Sequence, residues 1–275
     1  EMKILTGFNG FIGKKFADKL GRDYIGIEQK NCFQLIDSLP IWDKVTEIIH
    51  MGAISSTTET NIADLTVYNV EFTLRLFNKA IEYGIPVKYA SSASVYGNQP
   101  GEMNPLNFYA ISKLQVDYWV FDNIEKFKSI QGFRFFNVYG EGEEHKGNQR
   151  SPISKFASEA KMTKKIKIFK NSEKMIRDFI YVDDVVDLVL NHKGGSGIYD
   201  VGTGHPHSFR DIADIISNKY DAKIEEIDFP EHLQGKYQYY TCADMLWANG
   251  YEFTNVEDYI NRPEPPDTSL LQSAR

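Results

Sequence analysis

Cysteine is nearly absent from this 275-residue chain, with only Cys32 and Cys242, and the two stand in no metal-ligand spacing. That argues against a disulfide scaffold or a cysteine-held metal, and fits a cytoplasmic protein with free thiols. No apolar stretch approaches the ~18 residues of a membrane-spanning helix, so no membrane partner is expected. The formal net charge is −7 and no long basic run breaks it, which argues against nucleic acid as a partner. Internal repeats and low-complexity segments are also missing. A strand at the very start of the chain is expected to leave no room for a signal peptide, and Glu1 ahead of Met2 reads as an addition. Residues 261–275 are rich in Pro, Asp, Ser and Gln without an apolar period, and are expected to form a flexible tail. What remains is long enough for one large α/β domain, or a nucleotide domain with a smaller companion.

The beginning of the chain reads as strand, glycine turn, helix. Met2 to Leu5 is apolar enough for a strand, and Gly7, Gly10 and Gly13 follow at three-residue spacing. Ile12, Phe16 and Leu20 then fall on one helical face before Gly21 stops the helix. Glycines let the backbone approach a pyrophosphate, which a helix N-terminus attracts. The trio alone could be a simple tight turn; its flanking strand and helix favour a dinucleotide site with Phe11 and Ile12 beside the glycines. A second strand from Tyr24 to Ile27 ends at Glu28 and Gln29. An acid there favours NAD by binding the adenosine ribose, whereas Lys30 could meet a 2′-phosphate. The cofactor is expected to be NADP, with NAD the alternative. A third strand from Glu47 to His50 leads into Met51, Gly52, Ala53, Ile54 and Ser55, small enough for a cofactor to pass. A helix from about Val70 to Tyr83, a strand from Pro86 to Ser91 and another from Gly132 to Phe136 continue the alternation. The pattern predicts a doubly wound, mainly parallel sheet. Phe209 to Tyr220 has helical period and is expected to pack in a smaller second domain.

Tyr109 and Lys113 stand four residues apart, on one face of a predicted helix. A cation beside the phenol would favour its ionised form, which would make Tyr109 a proton acceptor. Such pairs also arise by chance on amphipathic helices. Ser92, at the C-terminal end of the fourth strand, could hydrogen-bond a reacting oxygen, although a serine there is more often a cap.

Four segments together resemble the extended short-chain dehydrogenase/reductase family: T-G-F-N-G-F-I-G at the start, A-S-S-A-S-V-Y-G around Ser92, Y-A-I-S-K, and R-F-F-N-V-Y-G from Arg134 to Gly140. The resemblance implies a Rossmann domain in which Tyr109 is the acid/base, Lys113 binds the nicotinamide ribose and Ser92 polarises the substrate oxygen. A narrower set resembles the ADP-L-glycero-D-manno-heptose 6-epimerases. It comprises the run from His50 to Glu59, Pro105-Leu106-Asn107, Glu144-His145-Lys146-Gly147, Phe169-Lys170-Asn171-Ser172, Arg177 to Val182 and Gly235 to Gln238. It implies reversible oxidation at C6 of an ADP-linked heptose, with Tyr109 and Lys146 as acid/base groups on opposite faces of a ketone. Lys146 would need a lowered pKa, by burial or from a neighbouring cation such as Lys113 or His145. Asn69 and Val138 match cofactor contacts and Asn137 a substrate contact. Phe169, Ser172, Arg177 and Tyr237 match groups around the ADP portion. Without the resemblance, Lys146 would read as a loop lysine and Arg177 as a surface partner of Asp178 or Asp183. Asn148 and Lys155 depart from the usual residues where the sugar should lie.

The expected organisation is a Rossmann domain over 1–143, rejoined by 176–201, and a substrate domain from 144–175 and 202–260. The partner is a nucleotide sugar, and a homo-oligomer is expected through helices around Tyr68–Tyr83 and Ala110–Glu125. Two other readings compete. A 4,6-dehydratase would carry an Asp-Glu pair where this chain has Ala93 and Ser94. A non-catalytic nucleotide binder would have no use for the Ser, Tyr, Lys set.

Overall fold

A computed structural model describes residues 1–52, 54–99 and 101–264. In chain order the strands are β1 (Met2–Thr6), β2 (Tyr24–Ile27), β3 (Val45–His50), β4 (Val87–Ser92), β5 (Ile130–Phe135), β6 (Asn137–Tyr139), β7 (Lys165–Phe169), β8 (Ile176–Arg177), β9 (Phe179–Tyr181), β10 (Gly197–Val201), β11 (His207–Ser208) and β12 (Lys223–Ile227). The helices are α1 (Phe11–Leu20), α2 (Cys32–Ser38), α3 (Ile62–Asp64), α4 (Phe72–Tyr83), α5 (Phe108–Asn123), α6 (Pro152–Thr163), α7 (Val182–Asn191), α8 (Phe209–Tyr220) and α9 (Val256–Ile260).

Six strands form a parallel sheet in the order β10-β5-β4-β3-β1-β2. The central strands are apolar almost throughout, as burial on both faces demands, and β5 is buried at every position. One apolar layer, with Leu76, Phe77 and Val120, covers one face; another, with Phe16, Val185 and Val189, covers the other. This is the doubly wound fold expected. Its winding reverses between β1 and β3, which opens a crevice beyond their C-terminal ends. A separate core joins α6 and α8 to the two-stranded β7–β12 pair, and Phe11 at the start of α1 inserts into it.

Several element boundaries differ from the sequence reading. The helix expected from Val70 begins at Ile62, capped by Asn61, and passes through a π-wound stretch, Leu65–Glu71, before α4. A π turn admits an extra residue and shifts the helical phase, so a 3.6-residue period finds only the later half. Within this stretch Leu65 and Asn69 face inward. Strand β4 runs one residue further than expected, making Ser92 both its last residue and the N-cap of the next turn. At the other end, Asn261 to Glu264, assigned to a tail, lie against the second core. The Lys219 ammonium donates to the Ile260 and Arg262 carbonyls, and Lys161 donates to Glu264. The rest of that segment, 265–275, is outside the described residues.

Beneath the crevice, buried His50 is held between two hydroxyls, with Nδ1 2.6 Å from Thr6 Oγ1 and Nε2 2.8 Å from Thr73 Oγ1. Burial, and then the Lys113 charge, push its pKa down to about 3. Between the free value of 6.5 and about 3 the unfolded chain therefore binds a proton that the folded chain does not. The corresponding stability is complete above that window and is lost as pH falls through it. We expect acid unfolding of the wild type to be steeper than that of His50→Asn by up to about 1.4 kcal/mol per pH unit in this window. Equal slopes in denaturant titrations at stepped pH would remove His50 as the origin.

Candidate active site

The turn from β1 to α1 is set by steric limits. Gly7 has a φ of +67°, and a β-carbon there would lie 2.6 Å from the Gly52 Cα. At Gly13 a β-carbon would lie 1.9 Å from the Gly7 carbonyl oxygen, whereas at Gly10 the nearest atom is an ordinary 3.4 Å away. The two loops beyond β1 and β3 are thus pressed together, and Gly52 N–H donates to Thr6 Oγ1 at 2.8 Å. The backbone N–H groups at the start of α1 face a cavity of about 390 Å³. Its walls include Gly7, Gly10, Phe11, Ile12, Gly13, Glu28, Gln29, Met51, Gly52, Ile54 and Ser55. Exposed glycine backbone at a helix N-terminus suits a pyrophosphate. The half-buried Glu28 side chain, at the end of β2, accepts from Asn9 N at 2.8 Å and caps the next turn. Ala53 lies outside the described residues.

A second group of side chains meets at the ends of β4 and α5. Asn107 caps α5 by accepting from Ala110 N, which starts the helix just before Tyr109. The Tyr109 phenol is buried near Ser92, whose hydroxyl lies 2.8 Å from Ser94 Oγ, and the Lys113 ammonium lies 6.0 Å from the phenol ring centroid. Lys113 donates to the Ala90 carbonyl at 3.0 Å. The expectation that Lys113 lowers the phenol's pKa needs correction. Burial dominates and raises it, and the Ser92 hydroxyl opposes the rise. Burial also moves Lys113 itself down to about 8, against the pull of Asp117. Asn69 is likewise buried; its amide takes a hydrogen bond from Ile54 N and gives one each to Ile54 O and Ser112 Oγ. Ser112 in turn donates to the Tyr109 carbonyl. Asn69 therefore ties the β3 loop to α5. Ser92, Tyr109, Lys113, Asn69 and Val138 are not in the walls of the first cavity.

A larger cavity of about 680 Å³ opens over the second core. Of the expected substrate residues, Asn137, Lys146, Asn148, Lys155, Phe169, Arg177 and Tyr237 line it. Ser92 is not in its wall, and neither is Ser172, which is buried with its hydroxyl unpaired. Arg177 is buried rather than paired at the surface. Its guanidinium lies 5.3 Å from the Phe209 ring and 5.1 Å from the Tyr237 ring. Asp178 faces elsewhere and accepts from the N–H groups of Thr203, Gly204 and Ala243. Gathered cations with flanking aromatic rings suit phosphates joined to a flat base.

Lys146 stands in the walls of both cavities, along with Ser55 and Gln149. Its ammonium lies 5.1 Å from the Phe11 ring. Burial lowers its pKa and Glu143 opposes this; neither Lys113 nor His145 is the cause. Glu143, itself buried, accepts from Gly140 N, Ser151 N and Ser151 Oγ and so closes the loop that carries Lys146. Sequence reasoning missed Gln149, whose amide donates to Ser56 Oγ at 2.6 Å, and Arg150, Lys167 and Phe209 in the second cavity. Gln149 and Arg150 are polar residues without a periodic signal, whereas Phe209 opens α8 and its helical period reads as packing.

Comparison with known proteins agrees with this geometry. The model of the NAD dependent epimerase/dehydratase family matches residues 4–202. The chain is 39% identical over 306 residues to an ADP-L-glycero-D-manno-heptose-6-epimerase of Brachyspira hyodysenteriae, covering 95% of this chain and 96% of that protein. It is 33% identical over 309 residues to a protein of the same name from Alkalilimnicola ehrlichii, covering 94% and 97%. Among solved structures, the Helicobacter pylori ADP-L-glycero-D-manno-heptose-6-epimerase superposes with a TM-score of 0.74 at 25% identity, covering 83% of this chain and 85% of that one. A Thermotoga maritima UDP-glucose 4-epimerase has a TM-score of 0.81 at 21% identity, covering 94% and 96%, and shares the fold.

The glycine geometry generates a graded expectation. Gly13→Ala forces the turn apart and should abolish retention of a dinucleotide, while Gly10→Ala should retain it. Mass spectrometry of nucleotide released on denaturation reads this directly. Equal retention by the two variants would contradict the steric account.

Proposed function

Because the chain belongs to the NAD dependent epimerase/dehydratase family, we propose that it inverts C6 of ADP-linked manno-heptose through a transient 6-keto sugar. The observation that carries this reading is the position of Lys146, on the wall shared by the glycine-turn cavity and the cation-lined cavity. The first cavity would take the dinucleotide, and the second the ADP portion and sugar of the substrate. When bound, the oxidised nicotinamide supplies a hydride acceptor and later a donor.

This chain's residues supply the proton chemistry. Ser92 orients the sugar oxygen, Tyr109 exchanges its proton on one face and Lys146 on the other. Lys113 orients the nicotinamide ribose. Arg177, held between Phe209 and Tyr237, grips the diphosphate or base. Burial suits the lysine for this role, because it brings the ammonium closer to giving up a proton near neutral pH. A tyrosine whose pKa is raised at rest begins as an acid, and ribose and substrate hydroxyls would stabilise its ionised form.

Of the two dinucleotides, we favour NAD over the NADP first expected. Glu28 lines the cavity, and its carboxylate would repel a 2′-phosphate, whereas Lys30 is exposed and not in the wall. The two separate apolar cores support the expected division into dinucleotide and substrate domains. The free thiols fit a cytoplasmic setting. No helix among the described residues is long and apolar enough to cross a membrane. Homo-oligomer formation finds support in Phe108, Ile111, Tyr118 and Phe121, all exposed on α5. A Tyr118→Glu variant should weaken self-association in sedimentation velocity, and an unchanged profile would remove this face from the assembly.

Proton NMR of the sugar after incubation with either C6 epimer should show both epimers, with no net consumption of cofactor. Tyr109→Phe and Lys146→Met should each slow turnover by about two orders of magnitude or more while substrate still binds. Wild-type turnover in Lys146→Met would reduce that residue to a loop lysine. An unchanged heptose beside conversion of a UDP- or GDP-linked hexose would remove the substrate assignment and leave the redox chemistry standing.

A further inference from the structure

One buried carboxylate outside both cavities holds the acid/base group together. Asp117 is wholly buried on α5, one turn beyond Lys113 and two beyond Tyr109. Its Oδ1 accepts from Tyr89 OH at 2.9 Å, and its Oδ2 accepts from Ser91 Oγ and Arg134 Nε, each at 2.9 Å. Lys113 meanwhile donates to the carbonyl of Ala90. Two successive turns of α5 therefore grip residues 89, 90 and 91 of β4, and the next residue is Ser92.

The far side of Ser92 is held through the same ion pair. Arg134 donates from Nη1 to Tyr96 OH at 2.8 Å, and Tyr96 donates to Asp200 Oδ1 at 2.6 Å. This fixes the turn that follows Ser92 to β5 and β10. Gly132 on β5 makes the arrangement sterically feasible: it pairs with Tyr89 across the sheet, and a β-carbon there would come within 2.5 Å of the Tyr89 ring.

We propose that Asp117 is a positioning residue for the reaction, fixing α5 against β4 so that Ser92 and Tyr109 meet. Its three partners lie on β4, the strand that ends at Ser92, and on the adjacent β5, so the contacts that satisfy the buried charge also fix the backbone that carries Ser92. The charged and titratable groups facing Lys113 are Tyr109 and Asp117 on its own helix and His50 on β3, with Arg134 on β5 behind Asp117. Of these, Asp117 is the carboxylate, and its field opposes the burial that draws Lys113 down. The inference rests on Ser92, Tyr109 and Lys113 being the acid/base set.

The test compares Asp117→Asn and Ser91→Ala with wild type in steady-state epimerisation across pH, after circular dichroism confirms folding. Asp117→Asn should lower kcat by about tenfold or more with KM little changed, because small misplacements of reacting groups are costly. Its basic limb should move to lower pH, since Lys113 loses its proton earlier without the carboxylate. Ser91→Ala keeps the charge and removes one contact beside Ser92. It should lower kcat several-fold and leave the limb in place. A readout independent of turnover is a thermal-unfolding double-mutant cycle of Asp117→Asn with Lys113→Met, in which the two changes should be non-additive. If Asp117→Asn does not fold, an undiminished kcat in Ser91→Ala overturns the proposal. If it folds, a wild-type kcat and basic limb, or additive unfolding changes, overturn it. Full turnover in Tyr109→Phe would instead overturn the acid/base reading beneath it.

Discussion

The close approach of two backbone loops beyond β1 and β3 governs this molecule. Parallel strands that diverge at their winding reversal leave a crevice, but only glycine allows the loops above it to touch. Gly7 against Gly52 and Gly13 against Gly7 leave no space for a methyl group. Thr6 fastens the contact through Gly52 N–H, and His50 supports Thr6 from below. The start of α1 is aimed into the crevice as a result, and Phe11, its first residue, becomes part of the second core. One steric constraint thereby places the start of α1 in the wall of the first cavity and the Phe11 side chain in the second core.

Burial then does most of the tuning. It raises the Tyr109 phenol and lowers the Lys113 and Lys146 ammonium groups. These are opposite directions with one origin, since a dry site disfavours whichever form carries charge. The sequence reading attributed the Tyr109 tuning to a neighbouring cation and left burial and a cation both open for Lys146, because spacing reveals neighbours on a helix but says nothing of how much water each group keeps. Glu143 and Asp117 act in the opposite sense, holding two lysines closer to their charged forms than burial alone would leave them.

Much of the fold was legible because its signals are periodic. Strand and helix alternation, the glycine spacing and the Tyr109–Lys113 interval all follow from repeat lengths that the backbone imposes. The π-wound stretch escaped because its phase is shifted. The contribution of Gln149 and Arg150 escaped because a loop has no period to betray which way it faces. Ser172 shows the converse: the resemblance assigned it to a ligand, while packing turns its hydroxyl into the interior. Arg177 was legible in identity but not in setting, for its aromatic neighbours Phe209 and Tyr237 arrive from distant segments.

Gly132 has no side chain, touches neither cavity and sits mid-strand, where glycine is a poor choice on propensity alone. Yet the Tyr89 ring occupies the space any larger residue would need. Such a position leaves sequence drift almost no room, though nothing about its chemical type would attract notice. In this chain one demand on variation close to Ser92 and Tyr109 falls on a residue that performs no chemistry.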